Sequence, residues 1–118
     1  MNAEDIRMYC LNKLAVSESL PFDETTLVFK VKGKMFALLG LDEDLTLNLK
    51  CDPEKAIELR EIYPAVLPGY HMNKKYWNTV LLDGTVDDNT LMGWIDDSYK
   101  LVAQKLPKKD QTGILPPE

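Results

Sequence analysis

Acidic residues make up 19 of the 118 positions, yet none falls between Ala65 and Leu82. Other absences narrow the chemistry further. The chain has one histidine, His71, and two cysteines, Cys10 and Cys51, far apart and without CxxC spacing, which excludes the common thiol and imidazole metal motifs. No apolar run approaches the length of a bilayer span, and Met1-Asn2-Ala3-Glu4-Asp5 is acidic where an export signal is basic. A cytoplasmic protein without membrane contact is therefore expected, with both thiols reduced. The formal net charge of -5 repels polyanions on average, so any nucleic-acid contact has to come from a local basic patch.

What is present is enough for one domain with a real core, since 45% of the residues are hydrophobic. Asn2, Glu4 and Asp5 open an amphipathic helix with Ile6, Tyr9, Cys10 and Leu14 on one face, ending before Pro21. Alternation from Thr26 to Val31, the turn Lys32-Gly33-Lys34 and the apolar run Met35 to Leu39 predict a hairpin. Leu45, Leu47 and Leu49 give a third strand with Thr46, Asn48 and Lys50 facing outward. Asp52-Pro53-Glu54 starts a second helix that Pro64 stops. A second hairpin is expected next, with strands at 68–72 and 77–82 and a turn at 73–76. Asp87 or Asp88 then caps a long helix carrying Leu91, Trp94, Ile95, Leu101 and Val102.

The order helix, three strands, helix, two strands, helix defines an α+β two-layer domain over residues 1–106, an antiparallel sheet with helices on one face. Residues 107–118 are rich in proline and lysine and are expected to be a flexible tail. Phe36, Leu47 and Trp94 fall on the inner phase of their elements and are expected in the core.

The acid-free stretch holds Tyr70, His71, Asn73, Lys74, Lys75, Tyr76, Trp77 and Asn78. Flat rings stack on bases, lysines neutralise phosphates and amides hydrogen-bond directionally, so this segment suits nucleic acid. Lys30, Lys32 and Lys50 lie on the outward phase of the strands and are expected to extend the same surface, set against an acidic helical back. The competing account is equally physical. Lysine keeps exposed strands soluble, a strand tryptophan is commonly a core residue, and asparagine tolerates turn geometry. A lone histidine gives no metal site and no catalytic constellation, and no cofactor is expected.

The run Tyr70-His71-Met72-Asn73-Lys74-Lys75-Tyr76-Trp77-Asn78-Thr79-Val80 resembles the signature of the MmcQ/YjbR family. Lys32-Gly33-Lys34-Met35-Phe36-Ala37, Asp52-Pro53-Glu54-Lys55-Ala56 and Ile95-Asp96-Asp97-Ser98-Tyr99-Lys100-Leu101-Val102 support the resemblance. It implies a bacterial protein with a CyaY-like fold, similar in architecture to the double-wing DNA-binding domain of the phage transcription factor MotA. Family members often place histidine just before the signature tryptophan, where this chain has Tyr76. The resulting expectation is a monomer that binds DNA through Lys30, Lys32, Lys50, His71, Asn73, Lys74, Lys75, Trp77 and Asn78. The alternative is a protein or small-anion binding module with no nucleic-acid ligand.

Overall fold

Residues 1–115 are described in the computed structural model. Three helices and six strands form an α+β domain, closed by a short fourth helix: α1 (Ala3–Leu11), β1 (Val16–Ser19), β2 (Thr26–Val31), β3 (Lys34–Gly40), β4 (Thr46–Lys50), α2 (Pro53–Ile62), β5 (Val66–Pro68), β6 (Trp77–Leu81), α3 (Asp88–Gln104) and α4 (Lys108–Gln111). All strand pairs are antiparallel, in the order β1-β2-β3-β4-β6-β5.

The helix starts follow from capping chemistry. The Asn2 side chain accepts from the Asp5 amide while the Asp5 carboxylate accepts from the Asn2 amide, a reciprocal box that satisfies two orphan donors. Asp52 caps α2 ahead of Pro53, and Asp87 caps α3 through the Thr90 amide. The β2–β3 turn is a two-residue loop with φ of 48° at Lys32 and 82° at Gly33, the positive pair that matches strand twist.

One face of the sheet carries the main core. Phe29, Val31, Ala37, Leu39, Leu47, Leu49, Val66 and Val80 pack there against Ile6, Cys10, Leu59, Leu91, Ile95, Tyr99, Val102 and Leu106. Between Phe29 and Lys30 the register slips, since Phe29 faces Ala37 while Lys30 faces Met35. Phe36 is the extra residue of this bulge and stays on the helix side, its ring 5.3 Å from Tyr99 and edge-on at 88°. Met35 falls on the opposite face, beside a second cluster of Val28, Leu38 and Trp77 that Met72 and Tyr76 cover.

Several expectations change. Val16–Ser19 forms an edge strand, which a segment with one apolar residue did not signal. Leu14 lies beyond α1 and is exposed, although its carbonyl accepts from the Tyr99 hydroxyl. Trp94 is only partly buried, edge-on to Tyr63 at 4.9 Å, whereas Phe36 and Leu47 are fully enclosed. The second hairpin is not a tight one, because β5 ends at Pro68 and residues 69–76 make a long looped connection. The stretch after Leu106 is attached at least to Leu115. There, the Gln111 side-chain amide donates to the carbonyls of Gln104 and Leu106, and Ile114 and Leu115 pack on the core. Residues 116–118 of the expected tail lie outside the described residues.

Candidate ligand groove on the uncovered sheet face

Helices cover one face of the sheet, and the most spacious concavity lies on the other. Its strand residues alternate to that side: Thr46 and Asn48 on β4, Thr79 on β6, Leu38 on β3. The 69–76 loop lies over one end of this face and is held there from both sides. Backbone bonds run from Gly69 to the Trp77 carbonyl and from Trp77 to the Asn73 carbonyl, both 2.9 Å. The Asn73 side-chain oxygen accepts from the Lys75 amide at 2.9 Å, so this amide is spent inside the loop.

Arg60, which the sequence did not single out, fastens the loop from behind. It donates to the Asn78 side-chain oxygen at 2.7 Å and also to the Lys74 carbonyl, while the Asn78 amide donates to the Ala56 carbonyl. The only hint was a cation in the last turn of a helix, which usually serves the helix carbonyls instead. Two expected contact residues are thereby corrected. Trp77 is 7% exposed within the second cluster, and Asn78 is 3% exposed under α2. Each is committed to packing or to hydrogen bonds inside the fold, and neither is free to stack on or read a base.

Gly69 sets how close the loop comes. A Cβ there would meet the Trp77 Cβ and carbonyl oxygen at 2.9 Å each, and backbone does not yield as a side-chain tip would. Gly69→Ala should cost about 1 to 3 kcal/mol by overpacking. Urea unfolding measures this, and an unchanged midpoint would show that the loop is not seated on Trp77.

The groove that results holds about 640 Å³. Leu67, Pro68, Tyr70, His71 and Met72 form one wall, the strand polar groups the floor, and Phe22, Asp23, Asp42 and Asp44 the far wall. The Thr79 hydroxyl donates to the Asn48 side chain at 2.6 Å, which orders the floor. Phe22 is 65% exposed and Tyr70 63% exposed at opposite lips. Asp23 accepts from the amides and hydroxyls of Thr25 and Thr26, bonds that hold its carboxyl below the usual range and keep it charged.

The expected lysines do not line this groove. Lys30, Lys32 and Lys50 lie where β2 ends, β3 begins and β4 ends, and Lys74 and Lys75 sit in the loop nearby, with Lys74 5.2 Å from the Tyr70 ring. Charge is also sorted along the strands, beyond the acids that α2 and α3 carry on the helical side. Asp23, Glu24, Asp42, Glu43, Asp44 and Asp83 occupy the turns at the opposite end. Of the expected residues, His71 alone lines the groove, while Lys30, Lys32, Lys50, Lys74 and Lys75 stay solvent-accessible to differing degrees outside it.

The cysteines stay apart, with Cys10 buried and Cys51 half-buried and both free. Burial pushes the Cys10 thiol up to about 12, and burial first, then Asp52 and Asp97, raises that of Cys51. Cys51 and His71 open onto different clefts. Among the described residues no cluster of histidine, cysteine and acids has metal-site geometry, and no helix is long and apolar enough to cross a membrane.

A two-layer α+β domain with an open, grooved sheet face is the class these features define. The YjbR family model matches residues 11–101, and the chain belongs to that family. It is 40% identical over 97 residues to the uncharacterized protein YbdF of Escherichia coli O157:H7, covering 81% of this chain and 80% of that one. It is 32% identical over 110 residues to the uncharacterized protein YjbR of Escherichia coli K12, covering 92% and 93%. The crystal structure of Deinococcus radiodurans protein DR2400, with its DUF419 domain, superimposes with a TM-score of 0.90 at 42% identity, covering 98% of this chain and 89% of that one.

Proposed function

We propose that this protein is a binding module of the cytoplasm whose groove receives a segment of a partner protein that carries basic and apolar side chains. The observation that carries the reading is the composition of the groove. Two exposed aromatics, Phe22 and Tyr70, stand at its lips, and Asp23, Asp42 and Asp44 line one wall with no lysine or arginine among the lining residues. Exposed aromatics beside a concave surface are the usual anchors of protein recognition, and carboxylates select a cationic segment by complementarity.

DNA is the weaker reading for this face. With Trp77 and Asn78 enclosed, the remaining phosphate-binding groups are lysines outside the groove, and a duplex laid across the open face would meet three aspartates. The test is titration of labelled protein with a peptide of alternating lysine and leucine, its glutamate counterpart, and duplex DNA at low salt. The lysine peptide should shift the amides of Thr46, Asn48, Tyr70, His71 and Thr79, and Asp42→Asn with Asp44→Asn should weaken it roughly five- to tenfold. Equal binding of the glutamate peptide, or duplex binding tighter than about 0.1 mM centred on those amides, would overturn the proposal.

A further inference from the structure

A second concavity, of about 250 Å³, opens at the other end of the sheet, independent of the groove. Its walls come from four elements: Lys34 and Met35 from β3, Lys50 from β4, Trp77 from β6, and Val102, Lys105 and Leu106 from the end of α3 and the residues after it. No acidic residue lines it. Tyr76 stands beside it, with the Lys105 Nζ 5.9 Å and the Lys75 Nζ 5.5 Å from the centre of its ring.

Gathering four ammonium groups without counter-charge is costly, and this chain has acids to spare. Elsewhere it spends them on cations, pairing Arg7 with Glu18 and Glu4, Lys13 with Asp96, and Lys55 with Glu58. Among the described residues none of Lys34, Lys50, Lys75 or Lys105 has an ion pair. Lys105 is not needed to neutralise the last carbonyl of α3, because Gln111 donates to that of Gln104 as well as to that of Leu106 just beyond the helix. The Lys50 ammonium is partly withdrawn from water, and burial together with Lys105 makes its charge harder to hold, a strain that a bound anion relieves. The backbone beneath it is fixed, since the Lys50 amide donates to the Ser98 hydroxyl at 2.8 Å.

From the convergence of these lysines over an apolar floor, we infer that the Lys34–Lys50–Lys105 pocket is a binding site for a small organic phosphate. The phosphate would lie among the three ammonium groups, with Lys75 closing from the loop. The organic part would rest on Met35, Val102 and Leu106, against the edge of the largely enclosed Trp77. Multiple lysines supply point charges suited to phosphate oxygens, and the apolar floor selects against inorganic ions.

The probe is phenyl phosphate, followed by amide and indole NMR shifts of the intact protein and compared with inorganic phosphate and phenol. Saturable shifts are expected at residues 34–36, 50, 76–77 and 102–106, with phenyl phosphate bound at least tenfold more tightly than either fragment. Lys50→Gln combined with Lys105→Gln should weaken it at least tenfold. Lys108→Gln, outside the pocket, should leave the affinity unchanged and serves as the folded control. The inference is overturned by shifts that do not saturate below about 10 mM, by undiminished affinity in the double variant when its spectrum remains folded, or by duplex DNA displacing phenyl phosphate at equal phosphate concentration.

Discussion

Phe36→Ala should lower the unfolding free energy by about 3 to 5 kcal/mol, the range for deleting a fully enclosed aromatic. Phe36 is the extra residue of the β3 bulge, so its removal empties the space under Tyr99 at the point where the sheet turns from one register to another. Neighbours cannot collapse into the gap easily, because Ala37 beside it is small and is held by pairing with both Phe29 and Leu49. Urea unfolding followed by tryptophan fluorescence gives the number. A loss under about 1 kcal/mol would mean that the bulge places Phe36 elsewhere.

Ser98→Ala should cost roughly 2 to 4 kcal/mol although it deletes a single oxygen. The Ser98 side chain has no exposed surface, and its hydroxyl serves two strands at once, donating to the Phe36 carbonyl at 2.6 Å and accepting from the Lys50 amide at 2.8 Å. Alanine takes that partner from both backbone groups, and each buried orphan costs about 1 to 3 kcal/mol. Hydrogen exchange at Lys50 should accelerate with the loss of stability. Unaltered protection at that amide would show that the bridge is not formed in solution.

The architecture was legible because its signals are local. Asn2, Asp52-Pro53 and Asp87 are capping residues whose chemistry acts within one turn, and the alternating leucines of β4 state their own phase. The family was legible for a similar reason, since the signature is contiguous. What the sequence concealed depends on distance. Arg60 reaches Asn78 from another element, and only that meeting turns a presumed contact residue into a structural one. Trp77 is enclosed because a loop folds back over an otherwise open face, which no periodicity in β6 announces. Ile114 and Leu115 look like isolated apolar residues among breakers, yet the α3 terminus gives them a surface to cover. The lysines were read by strand phase, which says nothing about which end of the strand a charge occupies.

The lengthwise sorting of charge gives the molecule a permanent electric moment that its net charge conceals. Its acidic turns and its lysine-bearing turns lie at opposite ends of strands five to seven residues long, roughly 15 to 25 Å apart and so about two screening lengths in ordinary buffer. An ion exchanger samples the nearest patch rather than the sum. This protein, formally at -5, should therefore be retained by cationic and anionic resins alike at low salt. Near any charged body it will turn before it touches, so the encounter begins with one end already chosen.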